Sequence, residues 1–146
     1  MDSKNLREKI SFVFLERCCI LKIRIQFLYF FTMALYDNLP VYKSSYDLLL
    51  GLFNSVSIFS RDYRFTVGEQ IKKETLSMML CIYRANKDRL ERKKNIILAR
   101  EHIETIRVLL RIVKDLRQMS VKKFASLQKL VESVSKQLSG WEASCK

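Results

Sequence analysis

The sequence predicts an all-α protein built as an antiparallel, up-and-down four-helix bundle. Its 146 residues include only 3 Gly and 1 Pro, whereas β-sheet folds need many more of these residues in their turns. Hydrophobic residues make up 49 % of the chain, and they recur at helical spacing in successive segments. The chain is long enough and apolar enough for one domain with its own core. We expect this bundle over residues 33–146, after an extension over residues 1–32.

The first predicted helix spans about residues 41–59. Pro40 stands in its first turn, where a proline is tolerated because that position has no helical hydrogen bond to lose. The predicted core positions alternate in steps of four and three, which places them on one helix face. They are Tyr42, Tyr46, Leu49, Phe53 and Val56. Residues 61–65 follow as a polar connector.

The second predicted helix spans about residues 67–86. Thr66 is placed to cap its first turn, and Glu69, three residues later, is placed to complete a capping box. The predicted core line is Ile71, Thr75, Met78 and Ile82, with Leu76, Met79 and Tyr83 on a neighbouring line. The charged residues 87–94 then either separate this helix from the third or form the first turns of the third.

The third predicted helix, about residues 91–118, has the most regular apolar spacing in the chain. About 26 helical residues would extend roughly 39 Å. The core line repeats at three and four and consists of Ile96, Ala99, Ile103, Ile106, Leu110 and Val113, with Leu109 and Leu116 widening it. A stripe wider than a two-residue seam is typical of helices in bundles.

The fourth predicted helix spans about residues 121–139. Ser120 is placed to cap its start, and Gly140 is expected to end it in the left-handed conformation that often closes helices. Its apolar line is Val121, Phe124, Leu127, Val131, Val134, Leu138 and Trp141. Because the connectors between all four helices are short, consecutive helices should run antiparallel.

The first two helices are apolar over more than one line. The additional positions are Leu48, Leu50, Leu52 and Phe59 in the first helix and Leu76, Met79 and Tyr83 in the second. A monomeric bundle would leave part of this surface in water, so we expect self-association. The alternative is a thick core with a few exposed leucines.

Residues 1–32 form an apolar and aromatic segment that basic residues interrupt. Its longest uncharged stretch, Ile25 to Tyr36, is shorter than the roughly 20 apolar residues of a membrane-spanning helix. Two interpretations remain: an amphipathic helix on a membrane surface, or a reading frame extended upstream of a true start at Met33. We favour the second, because the segment after Met33 is complete by itself, and we do not expect a membrane partner.

The sequence offers little for catalysis or for binding a cofactor or a metal. The cysteines Cys18, Cys19, Cys81 and Cys145 and the single His102 lack the spacing of zinc ligands. The three glycines are too far apart for a phosphate-binding loop, and no nucleophile or carboxylate pairs with His102 at a recognisable spacing. We therefore expect a protein that is not an enzyme, with reduced thiols in the cytoplasm.

The formal net charge of +12 predicts an anionic partner, first of all RNA or DNA. On the third helix, Arg100, Arg107, Arg111 and Lys114 form a stripe beside the apolar line, although Glu104 lies on the same stripe and a solvated face is the alternative. Tyr63 and Phe65 lie among basic residues and could stack on unpaired bases. The candidate nucleic-acid-binding residues are Arg61, Arg64, Lys72, Lys73, Arg84, Arg92, Lys93, Lys94, Arg100, Arg107, Arg111, Lys114 and Arg117.

Five segments taken in order resemble one known family. They are LPVYK (39–43), RDYRFTVGEQ (61–70), YRAN (83–86), LLRIVKDL (109–116) and QLSGW (137–141). This order is similar to the four-helix-bundle family of the accessory variability determinant (Avd) of diversity-generating retroelements and of ribosomal RNA intervening-sequence proteins. The third and fourth segments look like the retroelement branch. Ser60 departs from the family, which often has proline there.

The resemblance implies a homopentamer with a basic surface that associates with a reverse transcriptase and template RNA during mutagenic cDNA synthesis. The basic residues that match the family are Arg61, Arg64, Arg84, Arg107, Arg111 and Lys114. The leading hypothesis is thus a non-catalytic, oligomeric accessory protein that binds nucleic acid. The alternatives are an intervening-sequence-type protein of unknown role and a structural protein on a membrane surface.

Overall fold

The computed structural model of the chain describes residues 39–145. This part contains four long helices: α1 (Pro40–Val56), α2 (Val67–Lys87), α3 (Arg92–Asp115) and α4 (Val121–Ser144). A single helical turn, Arg61–Arg64, follows α1, and we call it the connector helix. The predictions of an extension over residues 1–32 and of a start at Met33, as well as Cys18 and Cys19, lie outside the described residues.

The four long helices pack as an all-α bundle in which each helix contacts its neighbours in chain order and α4 closes against α1. Side-chain pairs show the directions. The amide of Gln137, late in α4, donates to the hydroxyl of Ser44, early in α1, over 2.9 Å. Arg100, early in α3, pairs with Glu142, late in α4. Neighbouring helices therefore run antiparallel, and the predicted fold class is confirmed.

The core lines predicted for α2 and α3 are confirmed. Every residue of the two lines is fully buried: Ile71, Thr75, Met78, Ile82, Ile96, Ala99, Ile103, Ile106, Leu110 and Val113. The hydroxyl of Thr75 is the one polar group among them, and it donates to the carbonyl oxygen of Ile71 over 2.7 Å. A β-branched hydroxyl can thus occupy a core position without an unpaired donor.

The core line predicted for α1 is wrong except at Val56, which is fully buried, because a neighbouring face of the helix packs against the core. Tyr46 is 48 % exposed, and Tyr42, Leu49 and Phe53 are only half-buried. The buried positions are Val41, Ser45, Leu48, Leu52, Ser55 and Val56. Ser45 and Ser55 make this face look polar in the sequence, but their side chains are small enough for the neighbouring helices to pack closely. The hydroxyl of Ser55 donates to the carbonyl oxygen of Gly51 over 2.7 Å.

Because a different face of α1 is buried, the prediction of surplus apolar surface on the first helix is also corrected. Leu48, Leu52 and Phe59 are at most 2 % exposed and belong to the monomer's own core. Leu50, at 44 %, is exposed as predicted. On α2, Leu76 and Tyr83 are exposed and Met79 is half-buried.

The start of α4 forms as predicted, whereas its end does not. The hydroxyl of Ser120 accepts a hydrogen bond from the backbone N–H of Lys123 over 3.2 Å, which is an N-cap. Val121 is 72 % exposed and does not join the core. Gly140 does not end the helix: α4 continues to Ser144, and no described glycine has a positive φ.

The start of α2 lacks the predicted capping box. Thr66 is the N-cap residue, but its hydroxyl donates to the carbonyl oxygen of Asp62 over 2.7 Å and does not cap α2. Glu69 pairs with Lys72 at 2.9 Å. The residues between α1 and α2 are helical over one turn, so the hydroxyl bonds back into that turn and is not available to α2.

The connectors at one end of the bundle are joined through Gln118. Its side-chain oxygen accepts from both the backbone N–H (3.1 Å) and the hydroxyl (3.0 Å) of Ser60, and its amide donates to the carbonyl oxygen of Leu116 (3.0 Å). A proline at position 60 could form neither bond from that position, because it has no N–H and no hydroxyl. Ser60 thus links the α1–α2 connector to the α3–α4 connector.

Candidate nucleic-acid interface

The thirteen candidate cations do not form one site, because the bundle divides them between its two ends. One group lies at the end formed by the connector helix, the start of α2 and the second half of α3: Arg61, Arg64, Lys72, Lys73, Arg107, Arg111, Lys114 and Arg117. The other lies around the α2–α3 connector: Arg84, Arg92, Lys93, Lys94 and Arg100. We call the first end the connector-helix end and the second the opposite end.

The stripe predicted on α3 runs along the flank of this helix that faces α4. Its ends make contacts with α4, since Arg100 pairs with Glu142 and the ammonium of Lys114 lies 5.3 Å from the centroid of the Phe124 ring. Arg107 pairs within α3 with Glu104 at 3.2 Å. Lys114 also pairs with Asp115 at 3.4 Å, so Arg111 is the one member of the stripe without an ion pair within residues 39–145. We call Arg100, Arg107, Arg111 and Lys114 the α3 basic stripe.

Several other candidates already have structural roles. The guanidinium of Arg64 donates to the carbonyl oxygen of Phe59 over 3.1 Å, and Nε of Arg92 donates to that of Ala85 over 3.0 Å. Lys72 pairs with Glu69, and its ammonium also lies 5.8 Å from the centroid of the Phe53 ring. Lys94 pairs with Glu91 at 3.0 Å. Such cations have less free charge for a ligand than unpaired ones.

A second set of candidates is exposed and unneutralised. Their side chains form no hydrogen bond or ion pair with any residue between 39 and 145: Arg61, Lys73, Arg84, Lys93, Arg111 and Arg117. These are the cations whose charge is least compensated in the described part of the chain. They occur at both ends of the bundle, so its positive potential is spread widely.

The two aromatic residues of the first connector differ in their surroundings. Tyr63 is half-buried and packs against the core, whereas Phe65 is 66 % exposed. Of the pair predicted to stack on bases, Phe65 is the one that presents a ring to solvent. Tyr63 anchors the connector helix.

A protein-family model described as bAvd-like matches residues 41–145. The chain belongs to the bAvd-like family. The match covers all four long helices except the first residue of α1, and it agrees with the resemblance that the ordered segments carry. No curated protein matches the chain. Membership in this family points to an accessory protein of diversity-generating retroelements, a kind of protein that in general has no catalytic activity of its own.

The segments that resemble the retroelement branch lie on the surface of this bAvd-like protein. In the YRAN segment at the end of α2, Tyr83 and Arg84 are exposed while Ala85 is buried. In the LLRIVKDL segment at the end of α3, Leu110 and Val113 are buried. Each segment therefore combines core positions with outward-facing residues.

Four lysines on α4 are absent from the sequence-based candidates. Lys122, Lys123, Lys129 and Lys136 are all exposed and form no ion pair within residues 39–145. Three of them are seven residues apart, so they lie on one line along the helix. That spacing was the available signal, but it is spread over fifteen residues, in which Lys122 and Lys123 are the only adjacent cations.

His102 of the bAvd-like protein has a carboxylate partner that its sequence context did not reveal. Its Nδ1 lies 2.7 Å from Oε2 of Glu74, which belongs to α2, and the other oxygen of Glu74 accepts from the amide of Gln70 over 2.6 Å. The pair ties α2 to α3. Within residues 39–145, no group of three potential metal ligands surrounds it.

The two described cysteines, Cys81 and Cys145, are free thiols. Cys81 is only 5 % exposed, and burial raises the pKa of its thiol, while the nearby Arg84 guanidinium partly offsets that rise. Cys145 donates to the carbonyl oxygen of Trp141 over 3.3 Å. Separately, none of the helices between residues 39 and 145 has the length and apolar character needed to cross a lipid bilayer.

Proposed function

We propose that this protein is a non-catalytic, oligomeric accessory factor that binds nucleic acid beside a retroelement reverse transcriptase during mutagenic cDNA synthesis in the cytoplasm. The observation that carries the proposal is the bAvd-like match over residues 41–145. Family membership supports a retroelement role and a reverse transcriptase as partner. The distribution of charge on the surface supports RNA or DNA as the ligand.

Nucleic-acid binding is supported by exposed cations that form no hydrogen bond or ion pair within the bundle. Arg61, Arg111 and Arg117 are exposed, unpaired within residues 39–145, and gathered at the connector-helix end. Arginine can donate two parallel hydrogen bonds to one phosphate, which lysine cannot do. The formal charge of +12 also draws a polyanion over long range.

Self-association, as a pentamer by family resemblance, is supported by the outer surface of α1 to α3. These helices expose a set of apolar side chains: Tyr46, Leu50, Leu76, Leu80, Tyr83, Ile97, Leu98, Val108 and Ile112. We call this set the apolar outer face. Contiguous apolar surface is unusual on a monomer and typical of subunit interfaces.

The ligand is tested by binding fluorescent RNA and DNA oligonucleotides to the purified full chain at several salt concentrations. Binding through phosphates predicts an affinity that falls steeply with salt, because condensed counterions are released on binding. Arg111→Gln with Arg117→Gln should weaken binding of every sequence to a similar degree. Salt-independent affinity, or none, would refute nucleic-acid binding.

The partner is tested by co-expression with the reverse transcriptase encoded nearest to this gene. The proposal predicts co-purification and cDNA synthesis that depends on the accessory protein. A reverse transcriptase whose cDNA synthesis is the same with and without this protein would contradict the proposed role, whatever its affinity for nucleic acid.

A further inference from the structure

The outward face of α4 differs chemically from the outward faces of the other three helices. It bears Lys122, Lys129 and Lys136, which lie opposite the buried line of Leu127, Val131, Val134 and Leu138. We call the three lysines the α4 lysine row. In an α-helix, residues seven apart are separated by about 10.5 Å along the axis. The row therefore extends over about 21 Å in nearly a straight line.

Little negative charge compensates this row. The only acidic residues of α4 are Glu132 and Glu142, and Glu142 is already paired with Arg100 of α3. The three lysines form no ion pair within residues 39–145. By contrast, Lys72, Lys94 and Arg107 each have a carboxylate partner three residues away on the same helix. One carboxylate, the exposed Glu132, lies on this face three residues after Lys129 and four before Lys136. It forms no ion pair within residues 39–145, so the row keeps a net positive charge.

The same face also lacks bulky apolar groups. Val121, at the first position, is the only large hydrophobic residue of α4 that is exposed, while α1 exposes two, α2 three and α3 four. Beside the lysines this face bears the small residues Ala125, Ser126 and Ser133, with Gly140 beyond Lys136, and one larger polar residue, Glu132. A β-carbon at Gly140 would meet nothing within 4 Å. A flat surface of this kind lets a sugar–phosphate backbone approach the helix closely.

The α3 basic stripe lies beside the α4 lysine row. Its residues are on the flank of α3 that contacts α4, as the Arg100–Glu142 pair and the Lys114–Phe124 contact show. Axes of packed helices are about 8–10 Å apart. The two rows therefore run antiparallel on neighbouring helices, whose axes are separated by a distance comparable to the roughly 6–12 Å widths of duplex grooves.

We propose that the α4 lysine row and the α3 basic stripe together form a binding track for the sugar–phosphate backbones of a nucleic-acid duplex. This inference rests on the proposed nucleic-acid-binding function and assigns it to one face of the bundle. The unpaired α4 lysine row contacts phosphates of one strand. On α3, the unpaired Arg111 makes the main contact with the other strand, because Arg100, Arg107 and Lys114 are already paired with carboxylates.

The absence of exposed aromatic rings selects a duplex over a single strand on this face. Proteins that hold single strands usually stack bases on aromatic side chains. The two aromatic residues of α4, Phe124 and Trp141, are both half-buried, and Phe124 lies beneath Lys114. Phe65, which does expose its ring, belongs to the α1–α2 connector. Within residues 39–145, the α3–α4 face therefore has cations that can bind phosphates but no exposed aromatic ring on which a base could stack.

The test compares two triple variants of the full chain that remove the same charge. The first, Lys122→Gln, Lys129→Gln and Lys136→Gln, neutralises the α4 lysine row. The second, Lys43→Gln, Lys87→Gln and Arg89→Gln, neutralises three exposed cations that belong to neither row and have no ion pair within residues 39–145. Affinity for a duplex and for a single strand of equal length is measured by fluorescence anisotropy from about 50 to 200 mM salt.

The α4 variant should bind the duplex at least about tenfold more weakly at about 0.1 M salt, and its salt slope should fall by about 0.9 for each phosphate that the protein no longer neutralises. The second triple variant should remain within about threefold of the unmodified protein. Circular dichroism checks that helix content is unchanged, and Lys129→Glu alone provides a milder variant should the triple variant be unstable.

The alternative outcomes separate the two proposals. If the unmodified protein binds with a steep salt slope but both triple variants bind equally well, the track is wrong and the proposed function stands. If the α4 variant loses only single-strand affinity, the assignment to a duplex is wrong. If the unmodified protein binds no nucleic acid, the proposed function fails and the track with it.

Discussion

At the scale of single residues, the most unusual backbone position is Arg117. It is the only described non-glycine residue with a positive φ, at 56°. The N–H groups of Arg117 and Gln118 donate to the carbonyl oxygens of Lys114 and Val113, at 3.0 and 2.9 Å, which is the Schellman arrangement that ends a helix. Glycine is preferred at this position because a β-carbon is strained there.

We therefore predict that Arg117→Gly stabilises the fold by about 0.5–1 kcal/mol, after allowing for the loss of a cation near the C-terminal dipole of α3. The matched control is Arg111→Gly, which places glycine inside the same helix and should destabilise by about 1 kcal/mol. Urea unfolding followed by circular dichroism measures both. If both variants were destabilised equally, Arg117 would not be strained.

A second residue-scale prediction concerns the buried thiol of Cys81. Because burial raises its pKa and excludes solvent, iodoacetamide should modify Cys145 before Cys81, which should react only after unfolding. Peptide mass spectrometry after alkylation in increasing urea measures the order. Rapid modification of Cys81 in the native protein would show that α2 opens locally without global unfolding.

The raised pKa of Cys81 also gives a pH dependence with a definite sign. The protonated thiol contributes fully to stability below the pKa of the unfolded chain, about 8.5, and this contribution is lost as pH rises towards the folded value. The variant Cys81→Ala has no thiol to ionise, so it should not lose this contribution to stability as pH rises. The difference in unfolding free energy between the unmodified protein and the variant should therefore shrink at alkaline pH, and a constant difference would contradict the assignment.

At the scale of helices, Gly68 and Gly140 differ in whether their surroundings leave room for a side chain. A β-carbon at Gly68 would lie 2.7 Å from Cγ1 of Val56 and 3.1 Å from the carbonyl oxygen of Tyr63, so α2 can begin against the end of α1 only without a side chain there. Gly140 lies inside α4 with open space around it.

We predict that Gly68→Ala destabilises by about 1–2 kcal/mol, because overpacking exceeds the gain in helix propensity. Gly140→Ala should stabilise by about 0.5–1 kcal/mol, since it gains propensity without a clash. Thermal unfolding of the two variants provides the comparison, and each serves as the control for the other. Equal signs would show that the neighbours of Gly68 relax without cost.

The sequence predicted the buried face of a helix correctly where the apolar spacing and the positions of the charged residues agreed. In α3, Ile96, Ile103 and Leu110 recur between charged residues, and all are buried. In α1, aromatic and aliphatic residues occupy two neighbouring faces, so spacing alone could not choose between them. Packing selected the face with Ser45 and Ser55, whose small size matters only once the neighbouring helices are in place.

At the scale of the whole bundle, residues 39–145, the distribution of unpaired charge and exposed apolar side chains cannot be read from composition. The +12 charge indicated a polyanionic ligand, and the ordered segments indicated the family. Which cations remain free depends on contacts between distant residues, such as that between Arg100 and Glu142. The sequence could therefore nominate cations but could not separate structural ones, such as Arg92, from unpaired ones.

The exposed apolar side chains lead to a final prediction about assembly. Leu76 and Leu80 are 48 % and 53 % exposed, are one turn apart on α2, and belong to the apolar outer face. If that face is buried between subunits, Leu76→Glu with Leu80→Glu places charges in a dry interface and should dissociate the oligomer while the helices stay folded. Light scattering after size-exclusion chromatography measures the mass, and circular dichroism measures the helix content.

Leu90→Glu is the matched control, because Leu90 is 95 % exposed in the α2–α3 connector, apart from the apolar outer face. It should leave the mass unchanged. Affinity for a long duplex should fall in the dissociated variant even though the α3–α4 face is intact, because linked subunits bind one polyanion with avidity. If the double variant keeps the mass of the unmodified protein, the apolar outer face does not hold the subunits together, and another surface must do so.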